Sequence, residues 1–193
     1  MLDFIIENLL LIIFILLIAR YVLKERKVTA ARVVIYMIFL FYMYQVLKLT
    51  GIVNIFLNHK AFALSSDSLS FAFNNSQFKP LLFYREGMAI YGNDFTRMLF
   101  SSYFRSSLYN FIMLIPLGIF IPWLYKHLFA KTMTDAFILV FAIESVQFVS
   151  NICNLSSRSF NVDDFILNLL GVAVGYLLYH VVIKNILPKT LTK

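Results

Sequence analysis

The sequence has few charged residues. Lys, Arg, Asp and Glu make up only 14% of its 193 residues, 61% are hydrophobic, and the mean hydropathy is +0.80. A soluble domain carries roughly 25% charged residues, because its exterior has to be polar. The composition therefore excludes an ordinary soluble domain and a disordered chain. It indicates a protein with several membrane-spanning segments.

Cysteine and histidine are also scarce. The single cysteine, Cys153, excludes an intrachain disulfide and a cysteine-based metal cluster. The three histidines, His59, His127 and His180, lie far apart and lack metal-ligand spacing. We therefore expect no metal and no cofactor. The net charge of +7 is better explained by membrane topology than by nucleic acid, since no basic run accompanies a nucleic-acid-binding motif.

Five segments are long and apolar enough to cross a bilayer, which needs about 20 helical residues. We predict an all-α, polytopic bundle of about five spans that forms a single membrane domain over residues 1–193. The third span is short and carries Pro116, Gly118 and Pro122, which buried membrane helices tolerate. The predicted spans are about Leu2–Leu23, Val33–Phe56, Leu108–Tyr125, Met133–Ser150 and Phe165–Ile186.

The positions of the basic residues predict the orientation. Ten of the 17 Lys and Arg residues flank the first and third connections or lie in the C-terminal tail. Short segments rich in Lys and Arg stay in the cytoplasm, so we expect the N-terminus outside and the C-terminus in the cytoplasm.

The long connection over 57–107 then lies outside, and it holds eleven of the 33 aromatic residues. Disordered loops are poor in aromatic residues. Two alternatives stay open: the loop only caps the bundle, or residues 94–107 form an amphipathic helix in the interface plane. Within the loop, Ser65–Ser70 and Phe73–Gln77 look like turns.

Glu144 is the clearest ionisable residue inside a predicted span. Such a residue costs roughly 2.5–3.5 kcal/mol on insertion scales, so it usually faces other helices and often marks function. Gln147 and Asn151 share its helical face, and the flanking residues Phe137–Ile143 are all apolar. We expect this polar stripe to face neighbouring helices.

The fifth span has a similar face. Asp164, Asn168, Gly171 and Gly175 are spaced to lie on one side of a helix. The two glycines form a small-xxx-small seam, whose simplest role is close helix packing. The simplest role of Asp164, or of Asp163 beside it, is to cap the helix N-terminus.

By this topology the polar residues converge on the outer half of the membrane. We predict one polar network that opens to the outside, with Arg158 as the counter-ion of Glu144 or Asp164. The alternative is a purely structural network that holds three helices together. The candidates are Asn110, Glu144, Gln147, Arg158, Asp163, Asp164 and Asn168 for the network, and Pro116, Gly118, Gly171 and Gly175 for helix packing.

An ordered set of motifs resembles the VanZ-like family of bacterial membrane proteins. The set comprises Asn110-x5-Pro116-Leu117-Gly118, Glu144-x2-Gln147 and the run from Arg158 to Tyr176 (RSFNVDDFILNLLGVAVGY), with looser support at Lys79–Phe83. The resemblance implies a family core over about 30–186 and a location in the bacterial plasma membrane. Asn161 departs from the pattern, because an acidic residue is often found there. The departure argues against essential chemistry at that position.

VanZ-like proteins are associated with resistance to teicoplanin-type glycopeptides, lipoglycopeptides especially, and their molecular activity is not established. The resemblance implies lowered drug susceptibility through non-enzymatic binding at the outer face. The partner would be the drug, a membrane lipid or a lipid-linked cell-wall precursor. One alternative is a membrane enzyme acting on a lipid-linked substrate, with Glu144 as acid/base and Arg158 holding a phosphate. The other is a small lipid transporter, against which the lack of an inverted repeat argues.

Overall fold

The computed structural model describes Ile13, Leu17, Arg20 and residues 30–57, 65–92, 94–156, 158 and 160–186. In this part of the chain the regular structure is helical, apart from an isolated parallel bridge between Gln77 and Asn161. Most of the predicted first span, Leu2–Leu23, lies outside the described residues. The chain divides into two compact units at His59 and Lys60, which are described separately here.

The first unit contains helix α1, Ala30–Leu49, and helix α2, Ile52–Leu57. Residues Arg32–Leu49 are long and apolar enough to cross a membrane. Between the helices, Gly51 adopts a φ of 81°, in the left-handed region that glycine enters without strain. The Thr50 hydroxyl donates to the Val46 carbonyl oxygen at 2.9 Å in the last turn of α1. The predicted second span, Val33–Phe56, is therefore interrupted by a turn after Leu49.

The second unit contains three further stretches long and apolar enough to span a membrane: Phe104–Tyr125, Phe129–Ile152 and Val162–Ile186. Each begins about one helical turn before the span predicted from the sequence. The described residues thus hold four candidate spans, and the chain is a membrane protein. The helices of this unit are α3 Ser66–Asn75, α4 Leu82–Tyr91, α5 Phe95–Leu99, α6 Ser102–Met113, α7 Ile115–Tyr125, α8 Phe129–Ile152, α9 Val162–Leu178 and α10 Lys184–Ile186, with a π-helical turn over Tyr179–Ile183.

Helix α3 occupies most of the segment that the sequence suggested to be turns, so that prediction is wrong. A reciprocal capping box starts the helix: the Ser65 hydroxyl accepts from the Ser68 N–H, and the Ser68 hydroxyl accepts from the Ser65 N–H, both at 3.0 Å. The serine-rich composition that resembles a turn is here a helix N-terminus.

The region predicted as one amphipathic helix, residues 94–107, forms α5 and the start of α6. Asp94 and Ser101 each cap a helix, by accepting from the backbone N–H of Arg97 and of Phe104 respectively. Whether these helices lie in the membrane interface stays a prediction.

Helix α9 packs against α6, α7 and α8. The contact with α6 and α7 is a contact between backbones, because glycines remove the intervening side chains. A Cβ atom on Gly118 would lie 2.8 Å from the Tyr176 nitrogen. A Cβ atom on Gly171 would collide with the Phe111 carbonyl oxygen, and one on Gly175 with the Ile115 carbonyl oxygen. Three glycines therefore set the distance between α9 and the α6–α7 pair.

Replacing Gly175 by Val should separate α9 from α7. The new side chain meets a backbone atom that cannot move aside, so we expect a loss of about 3 kcal/mol or more in unfolding free energy. Thermal or denaturant unfolding of the purified protein in mild detergent measures it. Leu170→Ala is the matched control, because Leu170 on the same helix is 50% exposed. Equal stability of the two variants would contradict the close packing.

Candidate functional site

Asp163 is a buried carboxylate in the first turn of α9, with only 2% of its surface exposed. It accepts hydrogen bonds from the segment before α4: from Gln77 Nε2 at 2.8 Å, from the Leu81 N–H at 2.5 Å and from the Leu82 N–H at 2.8 Å. A buried charge without such donors is very costly, and charge-assisted bonds of this kind are strong. Asp163 therefore ties residues 77–82 to the start of α9.

The backbone strengthens the same connection. The Gln77 N–H donates to the Phe160 carbonyl oxygen at 2.8 Å, and the Val162 N–H donates to the Gln77 carbonyl oxygen at 2.9 Å. Leu81 adopts a left-handed conformation with φ 61°, which costs a non-glycine residue roughly 1–2 kcal/mol. The hydrogen bonds that Leu81 and Leu82 make to the carboxylate offset this cost.

Glu144 lies in α8 and is also 2% exposed. Its Oε2 accepts a hydrogen bond from the Asn161 backbone N–H at 3.2 Å. The Asn161 side chain in turn accepts from the Asp163 backbone N–H at 2.9 Å, which caps α9. Asn161 therefore connects the α8 carboxylate to the first turn of α9.

Asp164 lies beside these groups and is partly exposed. The side chains of Asn110, on α6, and of Asn161 hydrogen-bond to its carboxylate. Arg158 acts electrostatically on both Asp164 and Glu144. It is exposed, however, and no salt bridge joins it to either carboxylate within the described residues. Arg158 therefore acts electrostatically on both acids, and its predicted role as their counter-ion stays a prediction.

Three further amide side chains, those of Gln147, Asn151 and Asn168, lie on α8 and α9. Gln147 is buried one turn beyond Glu144, and Asn151 donates from its side chain to the Arg158 carbonyl oxygen at 2.9 Å. Asn168 lies one turn below Asp164 and is 2% exposed. Its Oδ1 is buried and has no hydrogen-bond partner among the described residues. We call Gln77, Asn110, Glu144, Asn161, Asp163 and Asp164, which hydrogen bonds connect, the polar cluster.

An open groove of about 330 Å³ lies beside the polar cluster. Aromatic contacts build its wall: the Phe78 and Phe160 rings stack with centroids 5.6 Å apart, and Phe148 meets Phe160 edge-on at 6.5 Å. Phe148 also contacts Phe73 of α3 at 5.3 Å. The lining residues, which we call the aromatic groove, are Phe78, Phe141, Ser145, Phe148, Val149 and Phe160.

The model of the VanZ/LLP1 family matches residues 4–184, which is nearly the whole chain and includes every residue of the cluster and the groove. The chain belongs to this family. The resemblance carried by the motifs between Asn110 and Tyr176 is thereby confirmed over a much longer stretch. No curated protein and no solved structure matches the chain.

In this VanZ-like chain the structure brings together four of the residues singled out in the sequence, namely Asn110, Glu144, Asp163 and Asp164. Sequence reasoning missed Gln77 and the N–H groups of Leu81 and Leu82. The only signal for them was the looser resemblance at Lys79–Phe83. Within the described residues, no group of three or more His, Cys, Asp or Glu side chains has an arrangement that could hold a metal ion.

Asn161 was set aside on the sequence because it departs from the family pattern. In the structure it lies between Glu144, Asp163 and Asp164. The position of Asn161 directly before a helix indicates an N-cap role, because Asn and Asp are both preferred at helix N-caps.

Asp163→Ala should destabilise the second unit of the VanZ-like fold. The change leaves buried N–H donors without an acceptor, and each unsatisfied donor costs about 1–3 kcal/mol. We expect a loss of at least about 3 kcal/mol in unfolding free energy and lower abundance in the membrane. Asp67→Ala is the control, because Asp67 is an exposed first-turn residue of α3. A stable Asp163→Ala variant would refute the anchoring role.

Proposed function

We propose that this VanZ-like protein lowers the susceptibility of its cell to teicoplanin-type lipoglycopeptides by binding, without catalysis, at the outer face of the plasma membrane. The ligand combines a hydrocarbon chain with a polar head, as the drug, a membrane lipid and a lipid-linked cell-wall precursor all do. The observation that carries the proposal is the aromatic groove on a membrane-spanning helix, directly beside the polar cluster. Apolar sites with a few placed polar groups are typical ligand sites.

The hydrogen bonds of the cluster support binding rather than catalysis. Asp163 is held by three N–H donors, which makes it a fixed anchor. Glu144 accepts from a backbone N–H, and Asp164 accepts from amide side chains. Carboxylates engaged in this way hold chain segments in place, whereas an acid or base has to reach a reacting proton.

A membrane enzyme with Glu144 as acid/base is the second candidate. The burial of Glu144 within a membrane-spanning helix favours it, since ionisable residues at such positions often mark function. The two candidates differ in whether Glu144 must exchange a proton.

Glu144→Gln should preserve the lowered susceptibility, because the amide oxygen still accepts from the Asn161 N–H. Glu144→Ala should abolish it, because that N–H loses its acceptor and the residue directly before α9 is no longer held to α8. The measurement is the inhibitory concentration of teicoplanin for a susceptible bacterium that expresses each variant, with membrane abundance followed by immunoblot.

A glycopeptide without an acyl chain is the control drug, and we expect its inhibitory concentration to change little. Loss of protection in Glu144→Gln at normal abundance would favour the enzyme. No protection by the wild-type chain would overturn the proposed function as a whole.

A further inference from the structure

The polar cluster and the aromatic groove are built by neighbouring residues of the same three chain segments. In each segment one residue belongs to the cluster and a residue adjacent to it in the chain belongs to the groove wall. The pairs are Gln77 with Phe78, Glu144 with Ser145, and Asn161 with Phe160. The hydrogen bonds of the cluster therefore fix the positions of the groove residues. The cluster positions the site, and the groove is the surface that a ligand contacts.

The groove lies on a helix that is long and apolar enough to span a membrane. Ser145 is in α8 and lies seven residues before its end at Ile152, which corresponds to about 10 Å along the helix. The solvent at that level of a spanning helix is lipid hydrocarbon. Phe78, Phe141 and Val149 are each more than half exposed, so the groove presents ring faces and an isopropyl group to that solvent. A volume of about 330 Å³ is within the range of small-molecule sites.

Two exposed cations lie close in sequence to residues of the groove wall. Lys79 directly follows Phe78, and Arg158 precedes Phe160 by two residues. Both cations are exposed, and the stacking of Phe78 on Phe160 brings their two chain segments together. Cations beside an apolar groove at a membrane surface complement the phosphate of an anionic lipid.

We infer that the aromatic groove holds one hydrocarbon chain of an anionic membrane phospholipid, whose phosphate is bound by Lys79 and Arg158. This inference deepens the proposed binding function and rests on it only for the link to drug susceptibility. The hydrocarbon chain of the lipid contacts the aromatic rings of the groove. The phosphate of its headgroup accounts for the preference for a negatively charged lipid.

The test uses the full-length protein in phosphatidylcholine vesicles that contain a trace of a photoreactive lipid. One arm carries the photoreactive group on the acyl chain of phosphatidylglycerol, and the other carries it on phosphatidylcholine. After illumination, mass spectrometry locates and quantifies the labelled residues. We expect labelling concentrated on the groove residues and stronger for phosphatidylglycerol.

Ser145→Trp fills the groove and should remove most of this labelling. Ile138→Trp is the matched control, because Ile138 lies on the same helix, is 60% exposed and does not line the groove. Lys79→Gln and Arg158→Gln should each lower the phosphatidylglycerol labelling about fivefold, as expected for one lost surface cation. Arg105→Gln removes an exposed cation of α6 outside the groove and should leave the labelling unchanged.

The Lys79 variant keeps the test decisive if Ser145→Trp does not fold, because Lys79 is exposed and the groove stays unaltered. Recognition of the phosphate would be overturned if both lipids label the protein equally and Lys79→Gln leaves that labelling unchanged. Labelling spread evenly over the protein surface would overturn the groove. If only teicoplanin displaces the lipid, the groove is a binding site for the drug. If two copies of the protein crosslink through the groove, its occupant is a second copy of the chain.

The same variants distinguish this inference from the proposed function. If labelling follows the expected pattern while teicoplanin susceptibility stays at the vector level, the lipid site stands and the resistance role fails. If the wild-type chain protects but no labelling concentrates in the groove, the resistance role stands and the phospholipid assignment fails.

Discussion

A carboxylate inside a membrane domain needs hydrogen-bond donors, and those of Asp163 come from a segment more than 80 residues earlier in the chain. This one requirement brings the loop before α4 onto the start of α9. Phe78 then stacks on Phe160, and the groove gains a wall that α8 alone does not supply. Loss of the carboxylate would leave the N–H groups of Leu81 and Leu82 without their acceptor, and of the hydrogen bonds described above only the backbone ones of Gln77 would still hold the loop to α9.

The parts of the fold that depend on local composition were predictable. Hydropathy located the spans now seen at Phe104–Tyr125, Phe129–Ile152 and Val162–Ile186, with their starts placed about one turn late. Helical periodicity placed Asp164, Asn168 and the two glycines of α9 on one face. The sequence did not predict the capped N-terminus of α3, because helix N-termini and turns have a similar, serine-rich composition. Nothing local in the sequence shows that the backbone N–H groups of Leu81 and Leu82 bind Asp163.

Asn161 shows why a departure from a family pattern needs a structural interpretation. Its backbone N–H serves Glu144, and any residue except proline would supply that donor. Its side-chain oxygen caps α9, a role that an acidic residue performs equally well. The amide can also donate to Asp164, which a carboxylate cannot do. An acid here would place a fourth carboxyl group beside those of Glu144, Asp163 and Asp164, so the amide suits this chain.

The structural and the functional interpretations of the buried polar residues are therefore not competing alternatives. The hydrogen bonds fix the backbone of three segments, and the neighbouring residues of those segments line the groove. A substitution that keeps the acceptor preserves the shape of the groove even when it removes a charge. A substitution that removes the acceptor should alter the groove, although it changes no residue of the groove wall. The geometry of each hydrogen bond, more than the charge of the cluster, then decides whether the groove keeps its shape.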